Sequence, residues 1–208
     1  MASFNESLEF LSESERIRYF QYRFSNKRLE FYYGRWLLKT VLSNYLKKKP
    51  EDIHFVKNSH GKLYVDKKLM NNDKKNLYFN LSHSKGIVVC ALTLNREIGV
   101  DVEKVDKDIT KSIHLWMTPQ EIAYLDKQKR DERNTVAYRL WTMKEAFVKA
   151  KGKCFDLAPK FINVLCNDSV FFYSSNINEK YWITVAVETN KVRDKEFRIQ
   201  EFNMCDYV

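Results

Sequence analysis

The chain has 208 residues, of which 44% are apolar and 30% charged, with only 5 Gly and 3 Pro; this is the composition of a globular protein with one sizeable core or two small ones. The longest apolar stretch, Ile87 to Leu94, is broken by Thr93 and is far too short to span a bilayer, which excludes a helical membrane anchor there. Lys and Arg outnumber Asp and Glu by 36 to 27, and the net charge of +9 asks for an anionic partner without saying which.

In chain order, the pattern predicts a helix over residues 13–23 and a longer one over 26–48. Ser25 is expected as the cap of the second, Leu29, Tyr33, Trp36, Leu37, Val41 and Tyr45 as its apolar stripe, and Pro50 as its stop. Strands are expected over 53–57, 63–65, 77–81, 87–94 and 99–103. Ser82 and His83 then fall in a polar turn between two apolar strands, where side chains meet solvent or ligand. Thr118-Pro119-Gln120-Glu121 opens a helix with Thr at the cap, Pro at the first position and Glu three residues after the cap. A further helix carries Val136, Leu140, Met143, Phe147 and Ala150 at helical spacing and stops at Gly152. Strand-like runs follow at 161–165, 170–173, 181–187 and 197–202. Cys90, Cys154, Cys166 and Cys205 have no paired spacing; Cys90 and Cys166 read as buried thiols. The first residues carry no basic, apolar leader, so a reducing cytoplasm is the expected compartment.

Two acidic clusters carry most of the chemistry. In Gly99-Val100-Asp101-Val102-Glu103, apolar and acidic residues alternate, so both carboxylates leave one face of a strand, roughly 6.8 Å apart. In the helix ending at Gly152, Trp141, Glu145 and Lys149 share a face at four-residue spacing. If that helix lies over that strand, three carboxylates converge with a lysine one turn away. Repelling carboxylates are tolerable with a hard cation between them, and Mg²⁺ held by a few carboxylates and substrate phosphates is the common form. Each piece taken alone reads more simply as a solvated sheet face or a helix-surface ion pair; the combination with Ser82-His83-Ser84 sets it apart.

Ser82-His83-Ser84, Gly99-Val100-Asp101-Val102-Glu103 and Trp141-Thr142-Met143-Lys144-Glu145-Ala146-Phe147-Val148-Lys149-Ala150-Lys151-Gly152, in this order, resemble the 4′-phosphopantetheinyl transferases of the Sfp type. Gly34-Arg35-Trp36-Leu37-Leu38-Lys39, Gly61-Lys62 and Trp116–Glu121 add weaker matches, and the likeness runs from Arg28 to Val187. It implies an α+β fold of two similar halves, here divided as 1–97 and 98–208, related by pseudo-two-fold symmetry with the active site in the cleft between them. It implies Asp101, Glu103 and Glu145 as ligands of Mg²⁺, with Mn²⁺ as the alternative ion. It implies coenzyme A as co-substrate, contacted by Ser82, His83, Lys62 and Lys149, and less closely aligned by Lys39 and Arg28.

In the implied reaction the serine hydroxyl of an acyl or peptidyl carrier protein attacks, and adenosine 3′,5′-bisphosphate leaves. Glu145 is the leading base and Lys149 the neutralising point charge. Lys144 points about 100° away and ranks behind it. In Gly61-Lys62-Leu63 a leucine stands where the family has proline. The carrier would belong to a fatty acid, polyketide or nonribosomal peptide synthase. The chain's length is that of the two-half monomeric type; no nucleic acid or membrane partner is expected.

Two other classes compete. A metal-dependent nuclease or phosphodiesterase would use the same carboxylates, but its Glu-x-Lys strand signature fails because Lys104 directly follows Glu103 and points the other way. A nucleic-acid-binding protein would suit the charge and the 14% aromatic content, yet the aromatics fall at core spacings and no basic stripe with interleaved aromatics is evident.

Overall fold

The structure is a computed structural model and describes residues 7–69, 76–152 and 158–189. Helix α1, Glu13–Gln21, begins in a capping box: the Ser12 hydroxyl accepts from the Glu15 amide while the Glu15 carboxylate accepts from the Ser12 amide. Helix α2 covers Ser25–Leu46. Its cap position is Phe24, which makes no side-chain cap bond; Ser25 already lies inside the helix. Lys47 ends it in the left-handed conformation at φ 54°, and Pro50 opens a short 3₁₀ turn beyond.

The buried face of α2 is also not the expected one. Phe31, Arg35, Leu38, Lys39 and Leu42 point inward, whereas Leu29 and Tyr45 are exposed. The helix is apolar on more than one side, so periodicity alone could not say which stripe meets the strands.

Strands β1 (Phe55–Lys57) and β2 (Leu63–Val65) form a small antiparallel hairpin. β3 (Leu77–Ser84) and β4 (Ile87–Leu94) form a second, turning at Lys85 (φ 36°) and Gly86 (φ 97°). Both turn residues have positive φ, the twist that a tight hairpin needs. Ser82 and His83 therefore belong to the strand and not to the turn, and Ser82 is buried.

β5 (Ile98–Lys104), β6 (Val170–Ile177) and β7 (Tyr181–Glu188) build a three-stranded antiparallel sheet with β7 in the middle. Helix α3, Pro119–Asp126, starts with the expected Thr118–Glu121 capping box, and α4 runs Arg133–Lys151 to Gly152 at φ 63°. The run at 161–165 is not a strand: its first residue ends the 3₁₀ turn Pro159–Phe161, which Pro159 opens, and the rest is irregular. The run at 197–202, like Cys154 and Cys205, lies outside the described residues.

The architecture is α+β. In the first half α2 packs over β3 and β4, with Leu38, Leu42, Ile53, Val65, Leu77 and Phe79 as core. In the second, α4 lies across β5, β6 and β7, with Leu140, Met143, Phe147, Val148, Ile162 and Val164 in its core. The halves meet along β3 and β5 through side chains: Asn80 Oδ1 accepts from the Val100 amide at 2.9 Å, and Ser84 Oγ from the Lys104 amide at 3.3 Å. Cys90 and Cys166 are free thiols; Cys166 is exposed, contrary to expectation, while burial pushes the Cys90 thiol up to about 12. Among the described residues no helix is long and apolar enough to cross a membrane.

Candidate active site at the seam of the two halves

The close approach of α4 to β5 begins with Gly99. A Cβ at that position would lie 2.0 Å from the Ala146 carbonyl oxygen and 2.4 Å from the Ala150 amide nitrogen. Only a residue without a side chain lets the helix backbone rest on the strand there. The same strand face continues as Asp101 and Glu103, so the helix that touches Gly99 brings Lys149 onto Asp101 and Trp141 onto Glu103. Gly99→Ala should destabilise the protein by about 3 kcal/mol, the upper end of overpacking costs, because backbone atoms cannot rotate aside. Thermal or urea melting checks this; a variant as stable as the parent would mean that α4 can lift without loss.

Around that contact Asp101 is buried and Glu103 and Glu145 are half-buried. Asp101 is 3% exposed. Its Oδ1 accepts from Ser82 Oγ at 3.0 Å and from Lys149 Nζ at 2.6 Å, while Oδ2 is buried with no hydrogen-bond partner among the described residues. Glu103 accepts from Ser84 Oγ at 3.1 Å and bonds the Trp141 side chain. Burial raises all three carboxyls above the usual carboxylate range. The Asp101 charge adds to the rise at Glu103 and Glu145, and Glu103 adds to it at Glu145; Lys149 opposes the rise in each case. The Asp101 charge thus reaches both glutamates, while Asp101 itself answers chiefly to burial and Lys149.

Among the described residues no three His, Cys, Asp or Glu side chains stand close enough to hold an ion as placed; Lys149 lies against Asp101 instead. The donor chemistry nevertheless fits a hard divalent cation. One buried carboxylate oxygen has no hydrogen-bond partner among the described residues, and two further carboxyls are held above their normal range by burial and like charge.

Beside this cluster opens a cleft of about 450 Å³ whose walls include Arg18, Lys27, Arg35, Lys62, His83 and Lys149. The charged part of its lining is cationic apart from one residue, which suits a polyanion. One carboxylate interrupts it: Glu30 Oε2 lies 3.2 Å from His83 Nδ1 and 2.6 Å from Lys27 Nζ. Burial pushes the His83 imidazole below its usual value, the Lys27 and Lys149 ammoniums add to that, and Glu30 opposes it.

Not every expected residue faces this cleft. The Lys39 ammonium is fully enclosed, 2.9 Å from Glu15 Oε2 and 2.6 Å from the Phe10 carbonyl, and it ties α2 to α1 rather than reaching a nucleotide. Arg28 bonds the Tyr22 carbonyl at 2.9 Å and lies over the Tyr19 ring, also off the cleft. Lys62 contributes to the wall, but its ammonium is taken up by Glu97 and three backbone carbonyls. Lys144, ranked behind Lys149, is fully buried against Glu121 at 2.7 Å. Arg18, Lys27, Glu30 and Arg35 were missed. Their spacing along two helices was readable, but which helix face would meet β3 was not.

The comparisons with known proteins agree along almost the whole chain. Residues 97–200 match the profile of the 4′-phosphopantetheinyl transferase superfamily, and residues 1–95 that of the 4′-phosphopantetheinyl transferase N-terminal region. The chain belongs to the 4′-phosphopantetheinyl transferase superfamily. It is 31% identical over 144 residues to the 4′-phosphopantetheinyl transferase HetI of a Nostoc species, covering 68% of this chain and 60% of that relative. With the 4′-phosphopantetheinyl transferase Sfp of Bacillus subtilis it shares 29% over 155 residues, 69% of this chain and 66% of the relative. A putative 4′-phosphopantetheinyl transferase of Synechocystis is 25% identical over 209 residues, 89% of this chain and 82% of its own length. The chain therefore aligns over less than two-thirds of HetI and of Sfp.

Proposed function

We propose that this superfamily member moves the 4′-phosphopantetheine group from coenzyme A to a serine hydroxyl of an acyl or peptidyl carrier protein. The observation that carries the reading is the seating of α4 on β5, which gathers Asp101, Glu103, Glu145 and Lys149 at the edge of a cationic cleft. In the transfer the serine oxygen forms a bond to the phosphorus bearing pantetheine. The bond from that phosphorus to the bridging oxygen breaks, and adenosine 3′,5′-bisphosphate leaves with the electron pair. The serine proton passes to a base, and Glu145 is the candidate: a carboxyl held above its ordinary range is a better proton acceptor at neutral pH than an exposed one. Lys149 and His83 lie where the diphosphate and nucleotide of the donor would pass along the cleft wall. Asp101, Glu103 and Glu145 would hold Mg²⁺ or Mn²⁺, which when bound neutralises charge on the diphosphate and polarises the phosphorus under attack.

The halves divide near residue 97, between β4 and β5, and we read the protein as a cytoplasmic monomer acting on a fatty acid, polyketide or nonribosomal peptide synthase. The basic surface suits an acidic carrier protein.

Incubating apo-carrier proteins with coenzyme A and Mg²⁺, followed by intact-mass spectrometry, tests the reaction: one phosphopantetheine adduct on serine is expected, and none with EDTA. Adduct formation at full rate in EDTA would remove the metal from the reading, and no adduct on any carrier class would remove the transfer. Independently of activity, metal at ten times its dissociation constant should stabilise the protein by about 1.4 kcal/mol, visible as a rise of about 3–6 °C in melting temperature.

A further inference from the structure

The β1–β2 hairpin belongs to the first half, yet one of its residues grips the second. The Lys62 side chain is 2% exposed, and its Nζ lies 2.6 Å from Glu97 Oε2. The same ammonium donates to the carbonyls of Ile98 at 3.0 Å, Lys149 at 2.9 Å and Ala150 at 3.3 Å. An ammonium carries three protons. Four acceptors already share them, and none is left for a phosphate.

Two of these acceptors are among the last carbonyls of α4, which carry the negative end of its dipole; that of Lys149 also accepts from the Gly152 amide at 3.2 Å. A second side chain from the same hairpin joins in: Asn58 Nδ2 donates to the Gly152 carbonyl at 3.2 Å, while Asn58 Oδ1 accepts from the amides of His60 and Lys62 and shapes the turn. Tyr64 reaches Glu97 Oε1 at 3.2 Å and completes the frame. The residue whose side chain rests on Asp101, Lys149, is thus held at its own backbone carbonyl by Lys62.

We propose that Lys62 is a positioning residue for the transfer reaction. With Asn58 it fixes the C-terminal end of α4, and so the heights of Lys149 and Glu145 above Asp101 and Glu103, and it does not itself hold the donor. This rests on the transferase reading of the site. A shift of about 1 Å in a group near the reacting atoms can cost on the order of a hundredfold in rate, so a clamp at the helix end has leverage on turnover.

The test compares Lys62→Met, Asn58→Ala and Glu97→Gln in steady-state transfer with coenzyme A varied, together with coenzyme A dissociation constants and hydrogen exchange of the α4 amides. Lys62→Met should lose about 10- to 100-fold in kcat while KM and Kd for coenzyme A stay within about threefold. Asn58→Ala should show the same split at smaller size, although it never carried a charge. Glu97→Gln, which leaves the three carbonyl bonds in place, should keep most of the turnover. In the first two variants the amides of residues 146–151 should exchange faster.

A tenfold or greater rise in KM and Kd for coenzyme A with kcat retained would overturn the proposal and make Lys62 a donor contact. A lower melting temperature with kcat and KM both retained would reduce it to a stabilising residue and equally overturn the proposal. If Lys62→Met fails to fold, the split in Asn58→Ala decides. A wild-type protein that transfers to no carrier would sink the transferase reading instead; there the exchange of residues 146–151 still reports on the clamp, and unchanged exchange would reject that too.

Discussion

Asp101→Ala should lower transfer by at least two orders of magnitude, on the order of 3 kcal/mol of transition-state stabilisation. The carboxylate sits at the centre of the cluster, bonded to Ser82 and Lys149 and with Oδ2 unpartnered among the described residues. Its removal takes away a proposed metal ligand and also frees Lys149 from its resting place. The companion Asp101→Asn separates these effects, because the amide oxygen keeps an acceptor for Ser82 and Lys149 but carries no charge. A sequence reading would expect such a variant to fold because the acid is solvated; the acid is in fact buried, and the reason is a different one. Burial raises the Asp101 carboxyl despite Lys149. For a carboxyl raised on folding, the added stability is full below its unfolded value, near 4, and is lost as pH rises through the folded value. At neutral pH the charge therefore subtracts from stability in the metal-free protein. Asp101→Asn should melt no lower than the parent at pH 7 and should lose part of the parent's gain in stability on acidification above pH ~4. Near-parental turnover in Asp101→Ala would remove the residue from the site, and a melting collapse in Asp101→Asn would make it a structural acid.

Glu145→Gln is expected to reduce turnover by roughly 10²–10⁴, the range for losing a general base. The amide keeps the shape and one weak oxygen ligand but cannot take a proton from the carrier serine. If proton transfer is its main role, coenzyme A and Mg²⁺ should bind within several-fold of the parent, and excess metal should not restore the rate. If ligation dominates, apparent metal affinity should weaken and excess Mg²⁺ should recover much of the activity. Burial and the charges of Asp101 and Glu103 raise the Glu145 carboxyl in the metal-free protein, and a bound cation would oppose that rise; if Glu145 is the base, Glu145→Gln should lose the acid limb of the parent's pH–rate profile. Unaltered turnover at ordinary metal concentration would exclude both roles.

The strand period of Ile98–Glu103 and the helical period of Val136–Ala150 determined, without any coordinates, that two carboxylates share one strand face and that Trp141, Glu145 and Lys149 share one helix face. These repeats are local and are set by backbone geometry, so they survive into the fold: Asp101 meets Lys149, and Glu103 meets Trp141. The capping box at Thr118–Glu121 was legible for the same reason, since every partner lies within one turn.

What sequence could not decide is which cations face the cleft. Lys39, Lys62 and Arg28 read as well for phosphate contacts as Arg18, Lys27 and Arg35. Lys39 is enclosed by Glu15 and the Phe10 carbonyl, and Lys62 by Glu97 and the end of α4. Each of these partners is 24 to 88 residues away. An ammonium is equally content with a phosphate, a carboxylate or a helix's last carbonyls, and residue type does not distinguish them. Only the packing of α1 on α2, and of the β1–β2 hairpin on the end of α4, determines which acceptor each lysine meets.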